Sequence, residues 1–167
     1  AKAKKIIICF GDSLEDINVT KGRKSLYSKY PLKNVQFLQI NESPTWRRMN
    51  YLPFVNPKEN EFGLENGSPN LNIYKENFYK LYYILDKLVR NQETIITHNP
   101  WGEYGHTEHI QVYKCIEALS KKYKFKVYVT GYTSDLASEL MYKSIHKISQ
   151  SPVISLTDNI LFDKIKK

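Results

Sequence analysis

Three of the chain's four histidines fall within one stretch, Thr97-His98-Asn99-Pro100-Trp101-Gly102-Glu103-Tyr104-Gly105-His106-Thr107-Glu108-His109. It follows the apolar run Thr94-Ile95-Ile96 and precedes Ile110-Gln111-Val112-Tyr113-Lys114-Cys115-Ile116, so it reads as the junction between a buried strand and a helix. A His-x-x-His pair such as His106 and His109 at that kind of junction is where an α/β protein places catalytic or metal-binding groups. A second loop with ligand-type residues, Gly11-Asp12-Ser13-Leu14-Glu15-Asp16, follows the apolar run that ends at Phe10. In an open parallel sheet both loops would leave the carboxyl ends of strands, bringing Asp12, Glu15, Asp16, His106 and His109 together. Two carboxylates and one or two imidazoles around an open position suit a catalytic zinc ion, which polarises a carbonyl and activates water. Plainer roles exist for the same residues. His-x-x-His recurs by chance, Asp12 and Ser13 can end a strand and cap the next element, Gly102 and Gly105 serve any turn, and Trp101 can simply pack.

The elements that must position these groups emerge from hydropathy patterning. Lys5 to Phe10 reads as a central parallel strand and Val35 to Ile40 as a second, with a short helix within Val19 to Tyr30. Residues 41–71 carry Pro44, Pro53, Pro57, Gly63, Gly67 and Pro69 and read as a long irregular stretch, too aromatic to be a plain linker. Phe78, Leu81, Tyr82, Leu85, Leu88 and Val89 recur at helical spacing, which predicts a helix over Ile73 to Arg90. Thr94 to Thr97 and Val127 to Thr130 predict strands, separated by a helix from about His106 to Lys122. Ser134-Asp135 reads as the cap of a short helix through Tyr142. Val153 to Leu156 reads as a last strand, and Thr157-Asp158 as the cap of a basic C-terminal helix. The alternation implies one α/β domain over residues 1–167, Rossmann-like, with a mostly parallel sheet and helices on both faces.

Bulk properties narrow the classes. The 167 residues, 41% hydrophobic and 25% charged, suffice for a single core. No run approaches the ~20 apolar residues of a membrane span. The basic start with five apolar residues, Ile6 to Phe10, reads as a buried strand rather than a leader. Cys9 and Cys115 lie in apolar patterns and read as buried free thiols, which fits a reducing cytoplasm. The formal charge of +8 favours anionic partners, but scattered lysines and the absence of nucleic-acid-binding signatures argue against a nucleic-acid role.

Gly105-His106-Thr107-Glu108-His109 resembles the second motif, Gly-His-x-Asp-His, of the LmbE/PIG-L-like N-acetylglucosaminyl deacetylase family. Gly11 to Asp16 occupies the place of that family's first motif, Ala-His-Pro-Asp-Asp-Glu, after the first strand. The resemblance spans roughly Lys4 to Val129, and its specific part is the second motif. It implies that His109 binds zinc and that His106 stabilises the oxyanion or protonates the leaving amine. It also implies that Asp12 and Glu15 take the places of a zinc-binding His and Asp. Such a set would hold zinc or a harder divalent cation. His98 lies outside the matched residues and receives no role.

One position departs in kind. Leu14 stands where the family has its general-base Asp, and loss of a general base costs about 10²–10⁴-fold. Asp16 or Glu103 would have to replace it, or the reaction differs, or the chain binds without turning over. Trp101, Tyr104 and Glu103 are candidates for holding a sugar, by stacking and by hydroxyl binding, and Arg48 for contacting the substrate. The expected activity is hydrolysis of an N-acetyl group on a sugar, and the positive charge suits an anionic or nucleotide-linked one. A nucleotide-binding Rossmann reading lacks a glycine-rich phosphate loop, since Gly11 stands alone after the first strand.

Overall fold

The computed structural model describes residues 5–13, 16–31, 33–43, 45, 58–65 and 71–148. Two β-α-β units form its frame. In the first, β1 (Ile6–Ser13) and β2 (Val35–Glu42) pair in parallel and α1 (Ile17–Lys29) joins them. In the second, β5 (Thr94–Thr97) and β6 (Lys126–Val129) pair in parallel, joined by α3 (Thr107–Tyr123). Parallel strands need such a crossover because no tight turn can reverse the chain twice. The mixed α/β class expected from the alternation is what these elements form. The described strands are paired two by two.

β1 runs further than its apolar residues suggest. Asp12 lies opposite Asn41 and Ser13 opposite Glu42, after register shifts between Ile8 and Phe10 and between Phe10 and Asp12. Gly11, Asp12 and Ser13 therefore belong to the end of the strand and not to a loop. The neighbouring strand also continues to Glu42, so backbone partners are on hand where side-chain polarity argued for a loop. Asp16 then caps α1, its Oδ1 accepting from the Asn18 N–H at 2.9 Å and the Val19 N–H at 3.2 Å. The helix ends at Tyr30, which is extended (φ −63°, ψ 127°) ahead of Pro31, the conformation proline imposes on its predecessor.

The core lies between α2 (Leu71–Val89), α3 and the strands. Tyr74, Asn77, Phe78, Leu81, Leu85 and Val89 form the buried stripe of α2, meeting Val112, Cys115, Ile116 and Leu119 of α3. Cys9 and Ile40 bring the first unit into the same cluster. Both cysteines are buried and free, as their apolar settings imply, and burial raises the Cys9 thiol to about 12 and Cys115 still higher. α3 ends on Lys124, which is left-handed (φ 63°, ψ 24°) and returns its N–H to the Ser120 carbonyl at 2.7 Å.

Residues 41–71 also hold an antiparallel hairpin, β3 (Lys58–Asn60) and β4 (Gly63–Glu65). Asn60 Oδ1 accepts from the Phe62 and Gly63 N–H groups at 2.9 and 3.1 Å and so builds the turn itself. Near the far end, a 3₁₀ turn (Asp135–Ala137) leads into α4 (Ser138–Ser144). Ser134 occupies the N-cap position there without a side-chain capping bond, so the expected Ser134 cap is not made. Arg48, Leu14, Glu15 and the expected elements at 153–158 lie outside the described residues. No described helix is long and apolar enough to cross a membrane.

Candidate metal centre at the end of the fifth strand

The stretch 98–109 leaves the carboxyl end of β5 and enters α3 through a single irregular turn, Gly102–Gly105. Gly102 (φ 66°) and Gly105 (φ 88°) supply left-handed conformations at low cost, and a Cβ on Gly102 would stand 2.8 Å from Ile110 Cγ1. Between them Glu103 adopts φ 59°, ψ −74°, a strained conformation for a residue with a side chain. Its surroundings enforce it. The Glu103 N–H donates to Asn99 Oδ1 at 2.8 Å, while Asn99 Nδ2 donates to the Tyr132 and Thr130 carbonyls at 2.7 and 3.2 Å. Trp101 is buried against Ile110, Ala137 and Leu140, and its Nε1–H also reaches the Tyr132 carbonyl, at 3.0 Å. The loop after β6 thus braces the loop after β5.

This strained turn delivers the Glu103 carboxylate to two imidazoles. Oε2 lies 2.8 Å from His109 Nδ1 and 3.0 Å from His98 Nδ1. Oε1 accepts from the Thr130 hydroxyl and, at 3.3 Å, from the Asn99 N–H. Burial by itself would raise the Glu103 carboxyl. The bonds from His109, His98 and Thr130 outweigh it and hold the group well below the usual carboxylate range. An ionised carboxylate only accepts, so a ring that bonds to it through Nδ1 does so by donating that N–H. For His109, burial is the largest influence and lowers the imidazole below its ordinary value of 6.5, against the pull of Glu103.

The three imidazoles form a column. His98 and His109 stack with centroids 4.0 Å apart and planes at 12°, and His106 stacks on the other side of His109 at 4.5 Å and 23°. Tyr104 meets both His106 and His109 edge-on, at 5.7 and 5.4 Å. Burial, then Glu103 and Glu42, raise its phenol above the ordinary value of 10.0.

A second carboxylate anchors the helix start. Glu108 is 1% exposed, with Oε2 at 3.2 Å from His106 Nδ1 and 2.7 Å from the Thr107 hydroxyl. Its Oε1 accepts from Ser43 Oγ at 2.6 Å. Thr45 bridges Ser43 and Thr107 at 2.9 Å each, so the segment after β2 is tied to the start of α3. Burial opposes ionisation of Glu108, but the bonds from His106, Ser43 and Thr107 keep it below its ordinary 4.5. Glu108 therefore fastens the start of the helix.

Of the expected site residues, His106, His109, Glu103 and Tyr104 come together. Glu103 is turned inward to the imidazoles, and Trp101 is committed to the small cluster beneath the loop. Asp12 sits at the end of β1, and Asp16 has Oδ1 on the first turn of α1. His98, which the motifs leave without a role, belongs to the centre. The only signal for it is its place at the end of β5, since the spacings from His98 to Glu103 and His109 fit no regular element. Among the described residues, His98, Glu103 and His109 form a group whose donor atoms all lie within 4.8 Å of one another, and it could hold a metal ion. Comparison of the chain with family models, curated proteins and solved structures gives no match.

Proposed function

We propose that the protein is a metal-dependent hydrolase that removes the acetyl group from an N-acetylated sugar, built on a Rossmann-like LmbE/PIG-L plan. The observation that carries this reading is the Glu108–His106 pair stacked against His109, beside donors suited to zinc. Two imidazoles and a carboxylate fit zinc better than magnesium or calcium, which prefer oxygen alone. Zinc, when bound, polarises the amide carbonyl and supplies a nucleophilic water near neutral pH. His109 is the ligand common to the motif resemblance and to this geometry, and the resemblance adds Asp12 and Glu15. In its doubly protonated form His106, with Nδ1 3.2 Å from Glu108 Oε2, would present an Nε2–H that stabilises the oxyanion and passes to the departing amine. Tyr104, edge-on to both rings, would contact the sugar. The net charge of +8 favours an anionic or nucleotide-linked substrate, and the two buried free thiols suit the cytoplasm.

Free-amine release from N-acetylglucosamine and its nucleotide-linked form by the zinc-loaded protein tests the proposal. His106→Ala should lower the rate by about 10²–10⁴-fold with zinc retained. A zinc-loaded wild type that releases no amine from any N-acetylsugar would support the second reading instead. In that reading Leu14, standing at the base position, marks a chain that binds its sugar without turnover.

A further inference from the structure

We infer that this chain's cation is held by His98, Glu103 and His109, three donors from one loop. The inference rests on the reading of this loop as a metal centre. It is independent of the reaction.

Glu103 is oriented as a ligand would be. A carboxylate that merely steadied one histidine would need one bond. Here both Nδ1 atoms converge on the same oxygen, Oε2, at 2.8 and 3.0 Å. The other oxygen is held from behind by the Thr130 hydroxyl and the Asn99 N–H. Ligating carboxylates have that arrangement, with one oxygen toward the cation and the other anchored by hydrogen bonds. The support is stiff. His98 directly follows β5, His109 lies in the first turn of α3, and Glu103 is pinned in a left-handed conformation by Asn99.

The chemistry of the three donors points the same way. Two imidazole nitrogens and one carboxylate oxygen make a three-donor set that leaves a position open for water or substrate, the pattern of catalytic rather than structural zinc. Their donor atoms already lie within 4.8 Å of one another, so small side-chain adjustments suffice. The cation takes the place of the protons on Nδ1, and each ring keeps one proton, carried on Nε2 instead, so that both bind as neutral imidazoles. The partly exposed edge of His98 provides the entry side, since 36% of its side chain is open while Glu103 beneath it is at 9%.

The test is zinc binding by the intact chain in competition with a chromophoric chelator, repeated with cobalt to read the visible spectrum of the bound ion. His98→Ala and Glu103→Gln should each weaken zinc at least ~10-fold and alter the cobalt spectrum. His98→Asn, which keeps a polar side chain, and denaturation midpoints guard against misfolding as the cause of a loss. Zinc binding that survives His98→Ala and Glu103→Gln overturns the inference. Because no substrate is present, intact binding with no amine release would count against the proposed reaction alone.

Discussion

Glu108→Leu is expected to destabilise the protein by about 3–5 kcal/mol, measured by chemical denaturation, because it removes the acceptor from a buried polar group of four residues. Ser43, Thr45 and Thr107 are 2%, 1% and 0% exposed, so the hydroxyls that now point at the carboxylate cannot turn to water. Leucine fills the space and accepts nothing. Glu108→Gln keeps the shape and one acceptor, and should cost roughly half as much or less. The depressed Glu108 carboxyl adds a pH dependence of definite sign. A group whose folded pKa lies below its unfolded value contributes stability that is complete above about 4.5 and fades as pH falls. The gap between wild type and Glu108→Gln should therefore narrow below that pH. A Leu variant within about 1 kcal/mol of wild type would show that the cluster does not hold the start of α3.

Gly63→Ala should be comparably severe although it lies in a short hairpin far along the chain from the histidines. Gly63 has φ 137°, where a side chain is strained. A Cβ there would stand 2.1 Å from Tyr74 Oη and 3.0 Å from Cζ. Tyr74 is 1% exposed and cannot step aside freely, and its hydroxyl donates to the Thr107 carbonyl at 2.7 Å. Overpacking of about 1–3 kcal/mol and backbone strain of similar size combine, giving roughly 3–5 kcal/mol in denaturant melts. Tyr74→Phe removes the nearest clashing atom, so the double variant should recover part of the loss. Full additivity of the two substitutions would mean that the contact does not matter. The Tyr74 bond also ties α2 to the start of α3, where Thr107 lies between His106 and Glu108 in sequence.

The contrast between α2 and this hairpin shows what the sequence could reveal. The stripe from Tyr74 to Val89 repeats at three and four residues along the helix, so local pattern and burial agree. β3 and β4 are three residues each, too short for an alternation to show, and their turn depends on Asn60 bonding its own neighbours. β1 is misleading at its end because Gly11-Asp12-Ser13 is polar, while its pairing is decided by how far β2 runs alongside.

The histidine loop was legible as an address and less so as a mechanism. His106 and His109 stand out by motif. The inward turn of Glu103 depends on a left-handed backbone at a residue that is not glycine, which side-chain chemistry does not announce. His98 joins through stacking on His109, a contact set by that turn. The anchoring of Glu108 depends on Ser43 and Thr45, more than sixty residues away and in a stretch with no pattern of its own.

Zinc content after equilibrium dialysis of wild type and His109→Ala tests the central claim most directly, because His109 is the ligand in every reading of the site. The wild type should hold stoichiometric zinc, removable by chelator, and His109→Ala should retain none at an unchanged fold. A wild type that holds no more zinc than the variant would contradict the claim.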